Sequence, residues 1–296
     1  MTGKLRKMIV IGFLGLTLAI GTIIGFGVAF ETNAQKVETE FEIASGFTEA
    51  ELRPGKNTVE FSANGETLVA DLYLPADYVA GKEYPTIVVN PPASGVKEQT
   101  AGIYAEHMSQ RGYAAMAIDP RGFGTSGGKP LLLDAYRIAS DINASVAMLQ
   151  SLQLSQKNRV YSLGICAGAG FAALAAINNA EIRAVGMVSP FLTSREDNYP
   201  NSVSRVLMRS AGGVARALDT NATGQLVPTQ PEAIAQARGI VKGMTGYYLP
   251  GMPGETPNWK NALSIVSIGP VASFAIYDDV AELSKRPVSM IIGTEA

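Results

Sequence analysis

The chain has 296 residues, 47% of them hydrophobic and 17% charged, with 24 Lys and Arg against 26 Asp and Glu for a net charge of −2. That apolar content excludes a disordered or collagen-like chain, and a mildly acidic body excludes the clustered phosphate contacts of a nucleic-acid binder. One Cys and one His, Cys166 and His107, exclude an intrachain disulfide, a zinc finger and a multi-histidine metal site, so no metal is expected.

Met8 to Phe30 is a run of 23 residues without a charge, preceded by Lys4, Arg6 and Lys7 and followed by Glu31. At about 1.5 Å per residue it is long enough to cross a hydrocarbon core of roughly 30 Å. The flanking charges place the N-terminus in the cytoplasm and the body outside. Residues 1–30 are therefore expected to be a retained membrane anchor or a cleaved signal peptide, with Thr32-Asn33-Ala34 offering small residues for cleavage. Either way the body is exported, to the periplasmic or extracellular face, and meets the membrane only through that segment if it is uncleaved. Residues 31–55 read as a polar linker, and 56–296 as one folded domain.

In that domain Thr58–Ser62 and Thr67–Leu74 are strand-like, and Asn64-Gly65 between them signals a hairpin. Pro85–Asn90 is a short apolar run that suits a fully buried strand. A helix follows from about Ala101 to Arg111, ended by Gly112, then a strand at Tyr113–Asp119 and a Gly-rich loop from Pro120 to Pro130. Leu131–Leu152 carries an apolar stripe at three- and four-residue spacing and predicts a helix. Arg159–Leu163 reads as a strand, Ala167–Asn178 as a helix and Ile182–Val188 as a strand. This alternation predicts an α/β fold with a mostly parallel sheet covered by helices on both faces. From Ser189 to Arg286 the rhythm breaks, until the strand Pro287–Ile292. A crossover needs only a dozen or so residues, so an inserted lid is expected at about 191–280.

Gly164-Ile165-Cys166-Ala167-Gly168 lies between a predicted strand and a predicted helix, the context that a nucleophile elbow requires. The turn is tight enough that small residues must stand two positions either side of the nucleophile, here Gly164 and Gly168. Cys166 is the expected nucleophile. A helix N-terminus favours the thiolate, and the Ala167 N–H would point at an oxyanion. The second donor is expected in the loop after Pro85–Asn90. Pro91 and Pro92 have no N–H, which leaves Ala93 or Ser94, with Ala93 preferred. Gly124-Thr125-Ser126-Gly127-Gly128 also spells a G-x-S-x-G pattern, but it lies five residues past its strand and before Lys129-Pro130, so a loop role is expected. Of two glycine patterns of dinucleotide type, at 122–127 and 168–173, the second lies between strand and helix, but the next strand ends in Ser189-Pro190-Phe191 with no acid to hold a ribose hydroxyl, so no cofactor is expected.

Residues Pro85–Phe191 resemble the α/β-hydrolase family, and within it the bacterial dienelactone-hydrolase-like branch. The resemblance rests on the cysteine elbow, on Gly95-Val96-Lys97-Glu98-Gln99-Thr100, and on Asp119-Pro120-Arg121-Gly122-Phe123-Gly124-Thr125-Ser126-Gly127-Gly128. The last of these also looks like the loop of Xaa-Pro peptidase-type hydrolases. Tyr247-Tyr248-Leu249 through Trp259-Lys260-Asn261 looks like the cap of the same branch. The resemblance implies a hydrolase in which Cys166 attacks a small-molecule ester, thioester or lactone to give an acyl-enzyme. It also implies an acid after the strand at Val288–Ile292 and a histidine farther on. Gly293-Thr294-Glu295-Ala296 looks like the start of that acid loop. Triad acid, His and the last strand and helix of the family are thus expected to be missing from this chain, with turnover impaired. His107 reads as a structural or surface residue, and Asp278 and Asp279 as solvated residues at the wrong end of the final strand. Two alternatives remain: a non-catalytic, membrane-tethered binding module, and an acyltransferase on the same fold.

Overall fold

The computed structural model describes residues 21–25, 27, 36–194 and 202–293. Most of the N-terminal charge-free run lies outside the described residues, as does Glu295. No helix among the described residues is long and apolar enough to cross a membrane.

The hairpin predicted at Asn64-Gly65 joins β2 (Gly55–Ala63) to β3 (Glu66–Leu74) in antiparallel register. Both turn residues have positive φ, 51° and 82°, as the twist of a two-residue hairpin demands. β3 then pairs antiparallel with β5 (Ala114–Asp119). From there every pairing is parallel: β5 with β4 (Tyr84–Asn90), β4 with β6 (Ser155–Ile165), β6 with β7 (Ile182–Val188), and β7 with β10 (Val288–Ile291). Together with β1 (Ile43–Ser45) the described residues form an eight-stranded sheet in the order β1-β2-β3-β5-β4-β6-β7-β10. β1 corrects the reading of 31–55 as linker: it pairs antiparallel with the edge of β2. Three residues, none of them buried, are too few to carry an alternation signal.

β4 and β5 are buried on both faces, which is why their sequences run apolar without alternating. On one face Val88 and Met116 pack with Ile138, Ile142 and Leu149 of α2 (Ala135–Ser151) and with the almost wholly buried α3 (Ala167–Asn178). On the other, Ile87, Val89, Ala115 and Ala117 meet Ala101 and Ala105 of α1 (Thr100–Ser109). The helix expected from Leu131 begins four residues later. Asp134 accepts hydrogen bonds from the Tyr136 and Arg137 N–H groups as its cap. Leu131, at φ 59°, donates its N–H to the Gly122 carbonyl, and Leu133 donates to Ser267 Oγ. Those residues tie the Gly-rich loop to the region after β7.

That region holds α4 (Ser202–Ala217), a two-stranded ribbon of β8 (Thr223–Gln225) and β9 (Ala262–Ser264), α5 (Pro231–Gln236), α6 (Gly239–Tyr248) and α7 (Ile268–Ser273). It stands over the carboxyl ends of the parallel strands, where the elbow lies.

Candidate active site at the end of β6

β6 ends at Ile165 and α3 begins at Ala167, so one residue makes the turn. That residue is Cys166, at φ 56°, ψ −125°. A non-glycine side chain held there is strained and persists only where the surroundings over-determine it. Three main-chain bonds do so: Cys166 N–H to Val188 O at 3.0 Å, and Cys166 O accepting from Ala169 and Phe191 at 3.1 and 3.0 Å. The flanking glycines are sterically required. A Cβ on Gly164 would fall onto the Gly168 carbonyl, and one on Gly168 onto the Pro91 carbonyl and the Asn90 side chain. The elbow thereby abuts the loop that follows β4.

Cys166, Ala167 and Ala93 line one cavity of about 420 Å³. Its remaining wall is mostly apolar, with Leu133, Phe171, Ile240, Met244 and Phe274 prominent. The polar residues of its lining are Ser94, Thr100, Thr193, Tyr247 and Tyr248, and no charged side chain is among the described residues of its lining. Cys166 itself is partly buried.

The thiol departs from the sequence-based expectation. Burial pushes its pKa above the ordinary value, and the neighbouring Ala167 N–H opposes that only in part. The helix N-terminus does act on the thiol, but the sulfur is partly buried and desolvation wins. His107 is exposed on α1 and does not line the cavity. Asp278 and Asp279 are exposed in the 3-10 turn Ile276–Lys285. Ser126, in the second G-x-S-x-G pattern, donates to the Asp119 carbonyl and accepts from the Val69 N–H. It pins the loop.

The loop carrying Ala93 is held from two sides. Behind it, Asp119 is buried and accepts from the Lys97 N–H, the Lys97 ammonium and the Thr125 N–H at 2.7, 2.8 and 2.9 Å. Burial raises the pKa of this carboxyl, and the bonds from Lys97 oppose that rise. In front, the segment after α6 grips it through three contacts. Gln99 donates to the Gly254 carbonyl at 2.6 Å, Asn258 donates to Glu98 at 2.7 Å, and the Trp259 indole N–H donates to Ser94 Oγ at 3.3 Å. The Tyr247-Tyr248 to Trp259 stretch carried a resemblance in the sequence without roles for its aromatics. Tyr248 and Trp259 now stand at the cavity and its latch.

A protein-family model described as serine aminopeptidase, S33, matches residues 98–239. Uncharacterized protein YcjY of Escherichia coli (strain K12) is 30% identical over 254 residues, covering 81% of this chain and 82% of that protein. Among solved structures, hypothetical protein PA2218 from Pseudomonas aeruginosa superposes with a TM-score of 0.69 at 24% identity, over 87% of this chain and 84% of that one. The alpha/beta hydrolase GrgF from Penicillium sp. sh18 superposes with a TM-score of 0.63 at 20% identity, over 80% and 79%. On the sheet described above and these similarities taken together, the chain belongs to the α/β-hydrolase family.

Proposed function

We propose that this protein is an acyl hydrolase whose nucleophile is Cys166, acting on a neutral ester, thioester or lactone with an apolar acyl part. One observation carries the reading: the strained turn holds the thiol at an apolar cavity, beside the main-chain N–H of Ala167 that opens α3. In the reaction, sulfur adds to the acyl carbon and the carbonyl oxygen takes up negative charge. The Ala167 N–H and an N–H from Ala93 or Ser94 are the donors for it, each contributing on the order of 3 kcal/mol. Collapse expels the alcohol or thiol, which leaves with the thiol's proton, and water then cleaves the thioester. The dienelactone-hydrolase-like motifs support a small ester or lactone. The aminopeptidase description of the matched family fits the lining less well, because no described carboxylate is there to hold an α-ammonium group. The charge-free run Met8–Phe30 supports export of the domain, tethered to a membrane if that run is retained.

The raised thiol pKa and the absence of a His from the described lining favour a second reading, a binding module that uses the same cavity without turnover. Medium-chain p-nitrophenyl esters separate the two. A stoichiometric burst of nitrophenol, with an acyl adduct on Cys166 by intact mass and neither in Cys166→Ala, supports the hydrolase. Absence of the adduct in the parent chain leaves the binding module. Added alcohol that diverts product to a new ester would make the protein an acyltransferase.

A further inference from the structure

Tyr248 closes α6 with its ring buried. Trp259 stacks on it at 4.8 Å between centroids and 19° between planes, and Tyr247 meets it edge-on at 4.9 Å and 89°. The Trp259 bond to Ser94 fastens this stack to the loop after β4. The ring therefore has little freedom left to lose when a ligand arrives. Tyr248 lines the same cavity as Cys166, and the phenol and thiol are close enough to interact electrostatically. Burial first, then Tyr247 and Cys166, hold the phenol well above its ordinary pKa, so it is a neutral O–H donor at physiological pH.

Buried phenols ordinarily find a hydrogen-bond partner. The Tyr248 hydroxyl has none among the described residues, and it is not among the side-chain atoms sealed from solvent without a partner, which include the Tyr247 hydroxyl and Thr100 Oγ1. Tyr248 itself lines the cavity. We propose that the Tyr248 hydroxyl donates to an oxygen of a neutral carbonyl compound whose hydrocarbon tail fills the apolar remainder of the cavity. Tyr248 is then the residue that distinguishes an acyl compound from a plain hydrocarbon and orients it beside Cys166. A carboxylate or ammonium group there would lose its hydration without gaining a counter-charge, which confines the class to neutral carbonyl compounds. The inference deepens the acyl reading and rests on it only for the chemistry after binding.

Trp259 is the one tryptophan in the sequence, so the intrinsic emission of the full chain reports on this stack. The experiment titrates Cys166→Ala, and Cys166→Ala with Tyr248→Phe, with 2-octanone and with n-octane. Tyr248→Phe keeps the ring and its stack. Binding of 2-octanone is expected to weaken about tenfold in Tyr248→Phe, the loss of one neutral hydrogen bond, while n-octane binds both proteins alike. Thermal midpoints should agree, because the hydroxyl has no described partner to lose. Equal ketone affinity in the two proteins, equal weakening of both probes, or no emission response to the ketone would each overturn the proposal. Failure of the acyl reading shows elsewhere, as a parent chain that forms no Cys166 adduct while its ketone affinity still depends on Tyr248.

Discussion

Alkylation of Cys166 across pH tests the electrostatics of the elbow directly. Iodoacetamide reacts with the thiolate, and the sequence contains one cysteine, so every adduct seen by intact mass reports this site. Burial lifts the thiol above its ordinary value of 9.0, and only the Ala167 N–H pulls it down. A thiol of pKa 9 is about 1% ionised at pH 7, and Cys166 lies below that. The second-order rate should therefore climb about tenfold per unit from pH 7 to 9, with no plateau below pH 9. The same shift has a consequence for stability. Because the folded thiol keeps its proton to higher pH than the unfolded one, its contribution is fully present below the unfolded pKa. It is lost as pH rises through the folded value, so urea stability should fall above pH 9. A rate plateau at or below pH 7.5 would refute this account and require a base acting on the sulfur.

The other predictions concern the frame around the thiol. Gly168→Ala forces a methyl onto the Pro91 carbonyl. It should cost ~1–3 kcal/mol of stability and lower Cys166 acylation, read by thermal melting and adduct formation. Asp119→Asn strips the buried Lys97 ammonium of its main counter-charge and should destabilise the fold by about 3–5 kcal/mol in urea unfolding. Restoration of most of that loss by Lys97→Met in the same chain would identify the unpaired cation as the cause. Ser126→Ala leaves the Val69 N–H without its acceptor and should cost ~1–3 kcal/mol while Cys166 adducts still form. Loss of all acylation in that variant, with the fold intact by circular dichroism, would make Ser126 the nucleophile.

Local chemistry was legible where one short stretch dictates its own geometry. Gly164 and Gly168 announce a turn too tight for any Cβ, and Asn64-Gly65 announces two positive φ angles. The alternation of strand and helix from Tyr84 to Val188 predicted the parallel core, with α3 and β7 at their observed limits. Features that depend on distant partners were not legible. α2 starts at Ala135 because Leu131 and Leu133 are bonded to Gly122 and Ser267 instead of to one another's turn. The thiol pKa moves against the helix dipole because burial of the sulfur, at a cavity lined from as far along the chain as Phe274, outweighs it. Tyr248 has no local signature, since its meaning comes from Cys166 and Trp259.

The three contacts from Gln99, Glu98 and Ser94 to residues 254–259 tie the segment after α6 to the loop that carries Ala93. On the proposed acyl reading, a guest too bulky for the cavity would have to displace residues 254–259, and with them the loop that carries the Ala93 N–H. Size discrimination would then be read out as a slower chemical step more than as poorer uptake. Broadening the range of guests by reshaping that segment alone would carry a built-in loss of rate unless the three fastenings were redesigned with it.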